Sequence, residues 1–172
     1  MRSRTVPLLG AALGCLTLGG DQLLKSRTQA WVAAHGDIHA FPGLDIIATS
    51  NTGVAFSVAQ GAPPILLVAI GLALSTLFLV WLIRARTFLH AIALGLAIGG
   101  ALGNVVDRLR FGSVRDFIDL YWRGYHWPAF NLADAAVVAG LAILIVFPDR
   151  WSGEKPMAVK AGNRGRSAAR RK

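Results

Sequence analysis

The chain has 172 residues, of which 54% are hydrophobic and only 16% charged, with a mean hydropathy of +0.51. A soluble domain carries ~25% charged residues, so the composition excludes an ordinary water-soluble globule and points to lipid as part of the solvent. The formal net charge of +9 does not imply a nucleic-acid partner. The basic residues flank apolar runs or crowd the C-terminus instead of interleaving with aromatics on one face.

The first apolar stretch runs from Val6 to Leu24. Arg2 and Arg4 precede it, and Ala12-Leu13-Gly14-Cys15 loosely imitates a lipoprotein cleavage box. A cleavable signal peptide is the competing reading. The apolar pattern continues past Cys15 and three more runs follow, so a membrane helix is expected instead. Asp21 and Lys25, at i, i+4 at its far end, read as an interfacial ion pair worth ~0.3–0.5 kcal/mol if exposed.

An outer segment, residues 25–62, comes next. Leu44–Thr49 and Val54–Val58 are short runs rich in β-branched and aromatic residues, separated by the turn signal Ser50-Asn51-Thr52-Gly53. They predict a small hairpin on the membrane surface. The second span is expected over Pro63–Ile83 and the third over Leu89–Val106, where Gly95, Gly99, Gly100 and Gly103 permit close helix packing. Asn104 and Arg108 share a helix face beside Asp107, and Gly112 is placed to end that helix. In the next segment, 107–129, Val114–Trp122 could add a strand to the hairpin. Pro128 precedes the fourth run, Phe130–Phe147, whose Asn131 and Asp134 share a face. Each run is near the ~20 residues that a helix needs to cross the hydrocarbon core. Trp81, Trp127 and Trp151 flank spans as interface anchors.

The expected fold is thus an all-α membrane protein, four transmembrane helices with a small outward-facing β-cradle. Residues 1–150 form the membrane domain and 151–172 a basic, disordered cytoplasmic tail. Of the 18 lysines and arginines, two thirds fall at the termini and in the Arg84–Arg86 turn. That bias puts both termini in the cytoplasm and the two long loops outside, although loop 107–129 is itself basic.

Ionisable groups beside membrane spans are a functional hypothesis by default. Here Asp21, Lys25, Asn104, Asp107, Arg108, Asp116, Asn131 and Asp134 all fall at one membrane level. Two carboxylates converging there can hydrolyse an amide by sharing one proton. The simpler readings are that Asp134 caps its helix and that Asp107 is a helix-end charge with a structural partner. Spacing leaves open whether Asp116 or Asp119 joins Asp134, because three residues apart on a strand they point to opposite faces. A transporter or channel with an Asp/Asn/Arg path would place its site near the midplane, and a packing factor would not need two carboxylates. Cys15 alone builds no disulfide or Cys-based zinc site. His35, His39, His90 and His126 make no H-E-x-x-H pattern, and no metal or cofactor is expected.

Five motifs carry a resemblance. Asp21-Gln22-x-x-Lys25, Asn51-Thr52-Gly53-x-Ala55-Phe56, Gly99-Gly100-Ala101-x-Gly103-Asn104-x-x-Asp107-Arg108, Gly112-x-Val114-x-Asp116-Phe117 and Phe130-Asn131-x-Ala133-Asp134 resemble, in order and spacing, those of bacterial signal peptidase II, the lipoprotein signal peptidases. The resemblance implies an aspartyl endopeptidase of the bacterial inner membrane, active at its periplasmic face. It would cut a diacylglyceryl-modified prolipoprotein just before the lipidated cysteine, and it would be open to globomycin-type inhibitors. It implies Asp116 and Asp134 as the catalytic pair, thereby choosing Asp116 over Asp119. Asn51, Asn104, Arg108 and Asn131 would line the substrate cleft. Asp21 would support the site, and Lys25, Gly53 and Asp107 are grouped with it. A monomer is expected.

Overall fold

The computed structural model describes residues 4–53 and 63–148. In chain order it runs α1 (Thr5–His35), β1 (Ile38–Phe41), β2 (Leu44–Asn51), α2 (Pro64–Arg84), α3 (Phe88–Phe111), β3 (Val114–Trp122), β4 (Tyr125–His126) and α4 (Leu132–Val146). The predicted run Val54–Val58 and the basic tail lie outside the described residues.

Three helices, α1, α2 and α3, are long and apolar enough to cross a membrane. The fourth run also folds as an apolar helix, but only 15 residues of it. At 1.5 Å per residue it rises about 22 Å, short of a ~30 Å core. Its limits are local. The Asn131 side chain caps its start, and Pro148 follows its C-cap Phe147, where the chain cannot stay helical.

α3 is the central helix and packs against α1, α2 and α4. The α1 residues it covers, Val6, Gly10, Gly14, Thr17, Asp21 and Lys25, form one stripe at three- and four-residue steps. Leu8, Leu9, Leu16, Leu23 and Leu24 stay exposed. Small and polar residues thus face protein while leucines face lipid, as expected where lipid tails remove the drive to bury apolar groups. A Cβ on Gly99 would strike the Gly14 carbonyl, and one on Gly100 the Ala133 carbonyl. Those two glycines set how close α1 and α4 come to α3.

α1 continues eleven residues past the predicted end at Leu24, to His35. It carries Lys25 into the protein and delivers the chain to the sheet. The four strands are ordered β1-β2-β3-β4, all antiparallel. β3 coincides with the predicted strand. The turn from β1 to β2 falls at Pro42-Gly43, where Gly43 has φ +93°; β2 runs on to Asn51, and the partner run expected beyond Ser50–Gly53 lies outside the described residues.

Candidate active site

Asp116 lies on β3 and Asp134 in the first turn of α4, and Asn131 joins them. Asn131 Nδ2 donates to Asp116 Oδ1 at 2.6 Å. The Asn131 oxygen accepts the Asp134 backbone N–H at 3.0 Å, and the Asn131 N–H donates to Asp134 Oδ2 at 3.3 Å. Asp134 therefore does cap its helix, through a reciprocal box with Asn131. Its other oxygen, Oδ1, accepts from Asn104 Nδ2 at 2.7 Å. Capping and facing Asp116 are one arrangement, not alternatives.

The strand pleat separates the two β3 carboxylates. Asp116 turns to Asn131, whereas Asp119 bonds His126 Nδ1 at 2.8 Å. Asp119 also stands opposite Asp45 on β2, which bonds His39 at 2.9 Å. Asp119 is thus engaged in a His–Asp–Asp–His row across the sheet, away from Asp134.

Burial, and then the nearby Asp134 charge, push the Asp116 carboxyl up to about 6, against donors on Asn131 and Asn51 that pull it down. An anion is disfavoured in a dry site and beside a second anion. Asn51, at the end of β2, also accepts the Gly53 N–H at 2.9 Å. Arg108 holds the Gly53 carbonyl at 2.7 Å and the Asn104 carbonyl at 3.4 Å, and its charge reaches both Asp134 and Asp116. Its Nε is buried with no bond among the described residues.

Beneath these groups lies a buried ionic layer. Lys25 is fully buried and bridges Asp21 at 2.8 Å and Asp107 at 3.3 Å. The ion pair expected for Asp21 and Lys25 is present, but the value for an exposed pair does not apply: both side chains have 0% exposure, because α3 covers that stripe of α1. Asp21 Oδ1 accepts the Ala133 N–H at 2.9 Å, tying α1 to the start of α4. Asp107 has the structural partner anticipated, but it is not its neighbour Arg108. Arg115 binds it at 2.8 Å, and Gln22 donates to it at 2.9 Å.

Gln22 and Arg115 had no role assigned from sequence. Gln22 also donates to the Gly103 carbonyl at 3.1 Å and accepts from Arg115 at 3.3 Å. The one available signal was position. Gln22 is three residues from Lys25 on α1, and Arg115 sits beside Asp116, pointing to the other strand face.

A cleft of about 400 Å³ opens beside Asp134, lined by Trp127, Pro128, Ala129, Phe130, Asp134, Ala135, Val138 and Ala139. Asp134 is the one ionisable group in that lining; the rest is apolar and suits acyl chains or small side chains. Among the described residues no group of three or more His, Cys, Asp or Glu is arranged to hold a metal.

A family model described as signal peptidase (SPase) II matches residues 13–148. A lipoprotein signal peptidase from Ralstonia nicotianae is 40% identical over 146 residues, 81% of this chain and 82% of that protein. One from Methylorubrum extorquens is 41% identical over 145 residues, covering 83% of this chain and 81% of its own. A solved bacterial membrane enzyme superposes with TM-score 0.72 at 26% identity, over 88% of this chain and 94% of that one.

Proposed function

The chain belongs to the signal peptidase II family, whose members remove signal peptides from prolipoproteins by an aspartyl mechanism, and we propose that Asp116 and Asp134 perform that cleavage here. The observation that carries the reading is the bridge: two carboxyls from separate elements, both bonded to Asn131, Asp116 through its side-chain amide and Asp134 through its backbone N–H.

In the proposed reaction one carboxyl is ionised and the other protonated. The ionised one takes a proton from water as the water oxygen attacks the scissile carbonyl carbon. The protonated one gives its proton to the carbonyl oxygen. Collapse of the tetrahedral intermediate breaks the C–N bond, and the amine nitrogen receives the proton first taken from water. Asn51 and Arg108 flank Asp116 and are assigned to the substrate backbone, together with Asn104 and Asn131.

The substrate class is a prolipoprotein whose box cysteine carries diacylglycerol, cut just before that cysteine. The apolar cleft next to Asp134 supports this, since each buried methylene of a lipid contributes roughly 0.8 kcal/mol. The protein is assigned to the bacterial inner membrane with both termini cytoplasmic and α4 as a short fourth span, on the strength of the Lys/Arg bias. Globomycin-type inhibitors would occupy the same cleft.

Cleavage of a diacylglyceryl-modified prolipoprotein by the purified protein in detergent tests the reading. Asp116→Asn and Asp134→Asn are each expected to abolish turnover while remaining folded. Turnover retained by either variant overturns the dyad.

A further inference from the structure

Lys25 has three N–H donors and no acceptor, and each donor has a partner. Two go to Asp21 and Asp107. The third goes to Asn104 Oδ1 at 3.0 Å, a neutral amide on another helix. Burial obliges that third donor to find a partner, and the one it finds is the amide that also bonds Asp134.

The bond decides which way the Asn104 amide points. With its oxygen on the ammonium, its nitrogen must face Asp134, where it donates at 2.7 Å. The flipped amide would set N–H against ammonium and oxygen against carboxylate, two repulsive contacts. Asn131 Nδ2 reinforces the choice by donating to the same Asn104 oxygen at 3.3 Å. The Asn131 amide is itself oriented by the Asp134 backbone N–H, which can only donate.

We propose that Lys25 is a positioning residue for the cleavage: through Asn104 it holds Asp134 as the ionised, water-deprotonating member of the pair. The proposal rests on the dyad reading and assigns its two roles. Both Asp134 oxygens accept hydrogen bonds, from Asn104 Nδ2 and from the Asn131 N–H, as an anion requires. With Asp134 as the anion, burial and that neighbouring charge push the Asp116 carboxyl up, and Asp116 is the member that protonates the carbonyl oxygen. The charged groups around the pair are Asp21 and Lys25 from α1, Asp107 and Arg108 from α3, and Arg115 beside Asp116 on β3. The charges of Lys25 and Arg108 both act on the two carboxylates, and of the two it is Lys25 that bonds the Asn104 side chain.

A double-mutant cycle tests this. Removing Lys25 alone strands two buried carboxylates and threatens folding, so the cycle is built on Asp21→Asn, which keeps an oxygen for the Ala133 N–H. The corners are that background, Lys25→Met, Asn104→Ala and both together, assayed with a lipidated prolipoprotein in detergent. Each single change is expected to lower kcat about 10- to 100-fold, with KM changed less than about threefold in Lys25→Met, which does not touch substrate. The double variant should be no slower than the slower single one. The acidic limb of the kcat–pH profile should move to higher pH in Lys25→Met. A merely structural role would scale kcat equally at every pH and make the two losses multiply, and either result overturns the proposal. The same cycle on Asp107→Asn repeats the test with the other buried carboxylate neutralised. Inactivity of Asp134→Asn with multiplying losses defeats this inference alone. Activity of Asp134→Asn defeats the dyad itself.

Discussion

Asn131 and Asp134 cap one another at the first turn of α4, each backbone N–H donating to the other's side chain, at 3.0 and 3.3 Å. Asn131 spends its remaining N–H on Asp116 and Asn104. Helix initiation and carboxylate placement therefore depend on the same side chain. Asn131→Ala should cost about 1–2 kcal/mol as a lost cap and release Asp116 from its donor. Thermal unfolding in detergent should show the lower midpoint, and turnover should fall much further than that midpoint alone explains. Normal turnover would mean that Asp116 is held by other groups.

Asp119 faces Asp45 and His126 and not Asp134. Asp119→Asn is expected to keep kcat/KM within about two- to threefold, the range of substitutions away from critical contacts. Asp116→Asn should be inactive. Equal losses in a side-by-side assay would show that the wrong β3 carboxylate has been assigned.

Asp116 titrates at about 6 in the folded protein and near 3.9 when unfolded. Folding therefore takes up a proton at this site within that window, and the stability it contributes falls as pH rises from about 4 through 6. Asp116→Asn removes the penalty. The variant should melt higher than the parent above pH 6, and the difference should vanish toward pH 4. Melting curves across that range decide it; a constant difference would rule out the linkage. In Asp134→Asn the Asp116 carboxyl should titrate lower, because a neighbouring anion that raises it is gone, and infrared carboxyl bands would report the shift.

A Cβ on Gly103 would sit 2.7 Å from Asp21 Oδ2, the oxygen that holds Lys25. Gly103→Ala should thus act as an overpacking change of about 1–3 kcal/mol aimed at the ionic layer. Both the melting midpoint and kcat are expected to drop. A fully active variant would show that Asp21 can shift without consequence for the site.

Asp21→Ala should leave Lys25 short of a carboxylate and Ala133 N–H unpaired, costing about 3–5 kcal/mol as a broken buried pair. Asp21→Asn should cost less, since it preserves an acceptor for Ala133. Comparable melting midpoints for the two variants would mean that the Ala133 bond contributes nothing.

Local order alone determined the helices and several of their ends. Apolar runs placed α2 and α3 within a few residues, except that α3 runs on to Phe111. Gly112, with φ +72°, ends α3 by closing on the Arg108 carbonyl, and β3 emerged over the expected Val114–Trp122. That Asp21, Asn104, Asp116, Asn131 and Asp134 meet in one place was also legible, because the order of the apolar runs dictates which ends come together. Tertiary packing alone decided the rest. Spacing could not separate Asp116 from Asp119, since parity says only that they face apart, and the partners waiting on each side, Asn131 and His126, come from elsewhere in the chain. Nor could it show that Asp21 and Lys25 are buried, or that Asp107 pairs with Arg115 and Gln22 instead of Arg108. The physical reason is that periodicity reports which face a residue occupies, whereas its charge partners depend on how closely α1 and α3 approach. Their glycines set that approach by contacts between residues some 80 positions apart.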